Sequence, residues 1–124
     1  MTYIDGFVIP VPTGKRDAYQ LFASTMAKVL QEHGALRMVE CWGDDVPTGK
    51  QTDFMQAVKA TSEETVVFSW VEWPSKAQRN TGMQNAMADP RMAPNSAMPF
   101  DGRRMIYGGF SVMLDTAQPN VCKP

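Results

Sequence analysis

Alternation opens the chain. Tyr3, Asp5, Phe7, Ile9 and Val11 fall on one face, and Ile4, Gly6, Val8 and Pro10 on the other. Period two is strand geometry, and Pro10 belongs near the end of a ladder, where its missing amide hydrogen costs least. The period then lengthens. Ala18, Leu21, Phe22, Met26, Val29, Leu30 and His33 recur at threes and fours, which predicts a helix starting near Gly14 or Lys15 and stopping at Gly34. "ALRMVECWG" returns to alternation, with Leu36, Met38, Glu40 and Trp42 opposite Arg37, Val39 and Cys41. "TVVFSWVEW" is the clearest strand: Val66, Phe68, Trp70 and Glu72 on one side, Val67, Ser69, Val71 and Trp73 on the other.

The remaining segments complete the order. Ser75 with Gln78 forms an S-x-x-Q capping box. It introduces a weaker helix with Ala77, Met83, Ala86 and Met87 as its stripe, ended by Asp89-Pro90. Asp101-Gly102 is a turn pair before a last strand, "RRMIYGGFSVML". Residues 54–60, "FMQAVKA", are expected as an accessory strand. "PTGK" in the loop at 43–52 lacks the GxxxxGK[ST] pattern and the helix that a phosphate loop needs. The predicted fold class is α+β, a ferredoxin-like βαββαβ sandwich with an antiparallel sheet. Residues 1–115 form its single domain and 116–124 a loose tail.

Right-handed crossovers place both helices on one side of such a sheet. The first strand and the 66–73 strand nevertheless carry large apolar residues on both faces. Whichever set meets the helices, the other lacks a cover, and the simplest cover is the same sheet from a second copy. The expected assembly is a homodimer, two sheets facing each other as a dimeric α/β-barrel.

Length and charge narrow the classes. A chain of 124 residues suits one domain and needs neither metal nor disulfide to fold. Twelve basic against 13 acidic residues give a net charge of −1 without a basic stripe, which argues against nucleic acid as partner. The lone His33 and the spacing of Cys41 and Cys122 suggest no metal site. No cofactor motif is present. Cys41 is expected as a buried free thiol, and a disulfide to Cys122 is not required. The lack of a signal-peptide pattern and of a long apolar span predicts a cytoplasmic protein with no membrane partner.

Candidate chemistry rests on polar residues in strand registers. Asp5, Glu40 and Glu72 interrupt apolar faces, and Arg37, Arg103 and Arg104 lie in or beside strands. A charge within a sheet must be paired or shift its ionisation. These residues are therefore either ion pairs and rim charges, or the walls of a cleft beside the free sheet face. In a cleft, Asp5 or Glu72 is the acid–base group, and Tyr107 with Arg103 stabilises oxygen charge. Trp42, Trp70 and Trp73 line an apolar pocket or fill the core. Gly108 and Gly109 mark a bulge or a close approach.

The strings "YIDGFVIPVP", "GALRMVECWGDDVPTGKQTDF", "VVFSWVEWPSK", "ADPRM" and "MPFDGRRMIYGGF" closely resemble the small bacterial YbaA-like family, domain of unknown function 1428. The resemblance spans residue 3 to about residue 115. It implies a dimeric α/β-barrel of two ferredoxin-like subunits, a class holding quinol-type monooxygenases, decarboxylases, isomerases, haem-handling enzymes and simple binders. It places weight on Asp5, Arg37, Glu40, Trp42, Asp53, Arg91, Asp101, Arg103 and Tyr107 without assigning roles. The ligand-binding candidates are Arg37, Glu40, Trp42 and Arg103, and the catalytic candidates are Asp5, Tyr107 and, from its strand position, Glu72. The expected function is a cofactor-independent enzyme or binder for a small carbonyl or phenolic compound. The alternative is a non-catalytic dimeric interaction or stress-associated module, using loops 43–52 and 89–102.

Overall fold

A four-stranded antiparallel sheet in the order β2-β3-β1-β4 organises the chain. Its strands are β1 (Tyr3–Pro12), β2 (Arg37–Trp42), β3 (Glu64–Trp73) and β4 (Ile106–Ser111). Helix α1 (Arg16–Glu32) follows a 3-10 turn at Thr13–Lys15, and α3 (Lys76–Met87) follows β3. The computed structural model describes residues 2–92 and 98–117. Cys122 and most of the predicted tail lie outside the described residues, as does the 93–97 part of loop 89–102. The order β-α-β-β-α-β and the strand arrangement are those of the ferredoxin-like α+β sandwich.

The inner face of the sheet carries Tyr3, Asp5, Phe7, Ile9 and Val11 of β1 beside Val67, Ser69, Val71 and Trp73 of β3. Two apolar clusters form against the helices. One joins Tyr3, Val71 and Trp73 to Val29, Leu30 and Ala86, and the other joins Ile9, Val11 and Val67 to Tyr19 and Ala23. The inward stripe of α1 is thus Tyr19, Ala23, Val29 and Leu30. The expected stripe was set one position off at its start: Ala18 is exposed and Leu21 is 72 % exposed. Tyr19 takes the inward place because its hydroxyl finds an acceptor in Glu40. At the other end Gly34 adopts φ +112°, and the amide of Ala35 returns to the carbonyl of Leu30 at 3.0 Å. A left-handed glycine ends the helix there.

Residues 54–60 are not a strand. Phe54–Ala57 form a short helix, α2, capped by Asp53, whose carboxylate accepts from the Gln56 amide at 2.7 Å. The Gln56 side chain bonds the same carboxylate at 2.8 Å. Asp53 and Gln56 stand in a D-x-x-Q spacing, so capping chemistry outweighs the alternation that suggested a strand. The last strand is also shorter than expected. Asp101 accepts from the Arg103 amide at 3.0 Å and its carbonyl accepts from the Arg104 amide at 3.2 Å, which holds both arginines in a turn. β4 pairs β1 only as far as Val8↔Ile106. Pro10 therefore lies beyond the end of that ladder, where a missing donor leaves no gap.

The outer face is apolar and lacks helical cover over most of its area. Ile4, Val8, Phe68, Trp70, Ile106 and Phe110 line a shallow depression there, with Phe68 45 % and Phe110 59 % exposed. Phe110 lies over the paired glycines Gly6 and Gly108. Phe54 of α2 packs edge-on against Phe68, ring centroids 6.1 Å apart, and shelters one end. Cys41 is exposed rather than buried, because odd-numbered β2 residues point to this face.

Candidate functional site

Between the inner sheet face and the two long helices lies a cavity of about 480 Å³. Its walls are largely apolar: Phe7, Phe22 and Phe100, with methionines from four segments, Met26, Met38, Met83 and Met105. Three charged side chains break this lining, Asp5, Glu40 and Arg79.

Asp5 lies mid-sheet, between Val71 and Gly109. It is buried, accepts the Trp73 indole N–H at 2.9 Å, and has Arg79 Nε at 3.5 Å. Burial raises its pKa above the usual carboxylate range, against the lowering pull of Arg79 and of the Trp73 hydrogen bond. Arg79 donates through Nη2 to the Tyr3 hydroxyl at 2.9 Å, and its guanidinium lies 4.8 Å from the Tyr3 ring centroid. Its Nε is buried and has no hydrogen-bond acceptor. Gly109 makes this possible: a methyl group there would collide with both the Tyr3 hydroxyl and Arg79.

Glu40 enters from β2. It accepts the Tyr19 hydroxyl at 2.6 Å and stands opposite the buried Ser69 in the β2–β3 ladder. Burial raises the Glu40 pKa more than Tyr19 and Ser69 lower it. The Tyr19 phenol is pushed far up, first by burial and then by the neighbouring carboxylate. Two carboxyl groups whose pKa values burial raises, in one apolar cavity with an arginine beside Asp5, have the composition of a proton-transfer site.

The sequence candidates divide between the faces. Asp5, Glu40 and Tyr107 reach the cavity, Tyr107 stacked on Phe7 with centroids 6.3 Å apart. Glu72 does not. It sits on the outer face opposite Ile4, where it accepts the Trp70 indole N–H at 3.0 Å and has Arg37 at 3.6 Å. Strand alternation puts Glu72 and Asp5 on opposite sides of the sheet, so Glu72 and Arg37 cannot join Asp5 within one subunit. Arg103 is also apart, with its side chain 92 % exposed and paired with Asp101 at 3.2 Å. Trp42 lies under the Arg16 guanidinium, 5.3 Å from its centroid, in a neighbouring cleft of about 350 Å³ that shares Tyr19 and Glu40 as wall. Asp53, Arg91 and Asp101 serve local structure: a cap, an ion pair to Glu32 at 2.6 Å, and the turn before β4. Among the described residues no cluster of histidine, cysteine and carboxylate side chains could hold a metal.

Arg79, Tyr3, Tyr19 and Ser69 surround the two cavity carboxylates and were not among the sequence candidates. Arg79 had a signal. Ser75 caps α3, accepting from the Gln78 amide at 3.1 Å, and Arg79, Met83 and Ala86 then fall at i, i+4 and i+7. A charge on the inward stripe of a helix needs a partner inside the fold.

Residues 2–102 match the family described as "Protein of unknown function (DUF1428)". The chain is 56 % identical over 116 residues to the "Uncharacterized protein YbaA" of Escherichia coli K12, covering 93 % of this chain and 99 % of that one. The YbaA of Shigella flexneri matches to the same extent. Among solved structures, SnoaB, a cofactor-independent oxygenase from Streptomyces nogalater, was crystallised as a mutant. It aligns with a TM-score of 0.57 at 11 % identity, covering 94 % of this chain and 98 % of that one. Rv0793 from Mycobacterium tuberculosis aligns with a TM-score of 0.51 at 12 % identity, covering 95 % and 100 %. At such identities the likeness shows the fold alone, the ferredoxin-like sandwich. Among the described residues no helix is long and apolar enough to cross a membrane.

Proposed function

The chain belongs to the DUF1428 family, and on that footing we propose that it binds and deprotonates a small carbonyl or phenolic compound without a cofactor. The observation that carries this is Asp5 buried in an apolar cavity beside an arginine that keeps one N–H unsatisfied. Asp5 as carboxylate takes a proton from the hydroxyl or activated carbon of the compound. Arg79 then faces the oxygen on which negative charge develops, in a site whose walls exclude water. Tyr107 closes the cavity near the β4 edge. SnoaB, named as a cofactor-independent oxygenase, is a precedent for such chemistry on this fold. The alternative of a pure interaction module called for carboxylates held in tight ion pairs. Glu64 fits that, paired with Arg104 at 2.7 Å, whereas Asp5, with Arg79 at 3.5 Å, and Glu40 both line the cavity.

The same proposal includes a homodimer in the cytoplasm, in which the outer face with Val8, Phe68, Trp70 and Phe110 packs on its copy. Removing such area from water contributes about 25 cal/mol per Å².

Thermal-shift screening against phenols, quinols and β-keto acids tests the function, with Asp5→Asn and Arg79→Gln alongside. At least one class raises the melting temperature of the native protein, and both substitutions abolish that rise. A panel with no responder, or responders indifferent to both substitutions, removes the site.

A further inference from the structure

The cavity has polar groups at two separate places, and the sheet register fixes their spacing. Asp5 pairs with Val71, which pairs with Met38, and Glu40 stands two residues along β2 from Met38. Two strand spacings across and two residues along put Asp5 and Glu40 about 12 Å apart at their Cα atoms. The floor between them is made by Phe7, Val71 and Met38, with Ser69 beside Glu40. One site of proton transfer needs only Asp5 and Arg79. Glu40, drawn into the same apolar cavity with Tyr19 and Ser69 around it, is left without a role in that step.

We infer that Glu40 is a second ligand anchor and that the natural ligand is an elongated, apolar-bodied molecule with a hydroxyl group at each end. This rests on the cavity being the binding site proposed above. One hydroxyl meets Asp5 and Arg79, and the other donates to Glu40. The end group at Glu40 is specified by what surrounds it. A carboxylate offers about four lone-pair positions. Tyr19 occupies one, which leaves room for a further donor. A carboxylate on the ligand would face like charge there. A ketone would find no free donor, since the Tyr19 hydroxyl is already committed to Glu40. Burial that disfavours the bare Glu40 anion is relieved when a ligand hydroxyl bonds to it.

The test compares 4,4′-dihydroxybiphenyl with 4-hydroxybiphenyl, two bodies of equal shape differing by one hydroxyl, by titration calorimetry on the native protein. A hydrogen bond to a buried carboxylate makes the dihydroxy compound at least about tenfold tighter. Glu40→Leu brings that ratio to near one. Equal binding of the two compounds to the native protein overturns the second anchor and leaves the Asp5 site standing. A tenfold ratio that survives Glu40→Leu also overturns it. Binding of neither compound overturns this inference, and if simple phenols fail as well, the underlying site falls with it. The native-protein comparison needs no variant, so a Glu40→Leu chain that fails to fold does not spare the inference.

Discussion

Trp73 donates its indole N–H to the Asp5 carboxylate at 2.9 Å, from a side chain with no exposed surface. The two lie diagonally across the β1–β3 ladder, since Tyr3 is opposite Trp73 and Asp5 opposite Val71. The bond gives the carboxylate a fixed orientation and leaves its other oxygen toward Arg79. Trp73→Phe removes the donor and leaves a void. The expected loss is about 2–4 kcal/mol of stability, read from the shift of a denaturant midpoint at unchanged slope. A loss under ~1 kcal/mol would mean that the bond adds nothing to packing.

Asp5 also sets a pH dependence with a definite sign. Its folded pKa is raised by burial, so the native chain holds this proton more tightly than the unfolded chain does. Its contribution favours folding most below the unfolded value of about 3.9 and declines as pH rises through the folded value. Asp101, Glu64 and Glu32, whose pKa values are lowered by arginine and backbone hydrogen bonds, act in the opposite direction. Asp5 is isolated by difference. The stability of the native chain minus that of Asp5→Asn is expected to fall from about pH 4 upward. A difference that stays level with pH would place the folded pKa of Asp5 at its ordinary value.

Gly82 offers a reversal of a general rule. In the middle of a helix, alanine is favoured over glycine by about 1 kcal/mol. Here an added methyl group would press on the Trp73 ring and the His33 carbonyl. Overpacking of that kind costs about 1–3 kcal/mol, so Gly82→Ala is expected to lower the melting temperature. A rise would show that α3 can move away from β3 at little cost.

Phe68 separates one copy from two. Its ring is 45 % exposed and lies beside Phe54 and Trp70. On a free surface, Phe68→Glu would change stability by about 0.5 kcal/mol or less. Facing a second sheet, the same charge is desolvated without a partner. Sedimentation at micromolar concentration is expected to show a pair for the native chain and a single subunit for Phe68→Glu. A native chain already sedimenting as one subunit would remove the facing-sheet arrangement.

The architecture was legible because β1 and β3 alternate without interruption and because Gly34 and Ser75 bracket the helices with strong end signals. Asp5 was legible as a candidate for the same reason: a carboxylate on the apolar face of a central strand must be paired or shift its ionisation. Glu72 looked equivalent to Asp5 along the chain. It proved different because pairing register, which single-strand periodicity does not encode, turned it to the other side. Arg103 was overvalued because Asp101 shortens β4 and keeps the arginine outside the sheet. Arg79 was not among the candidates because its place beside Asp5 depends on Gly109, thirty positions away, being too small to block it.

The methionines along the cavity have a consequence for discrimination. Unbranched thioether chains change rotamer cheaply, so guests of different outline can be housed without moving the backbone. Shape then rejects few candidates, and the choice of guest passes to the fixed oxygen and nitrogen atoms on the sheet and α3. Exchanging one carboxylate for an amide would redirect such a protein to a new compound more readily than reshaping its walls.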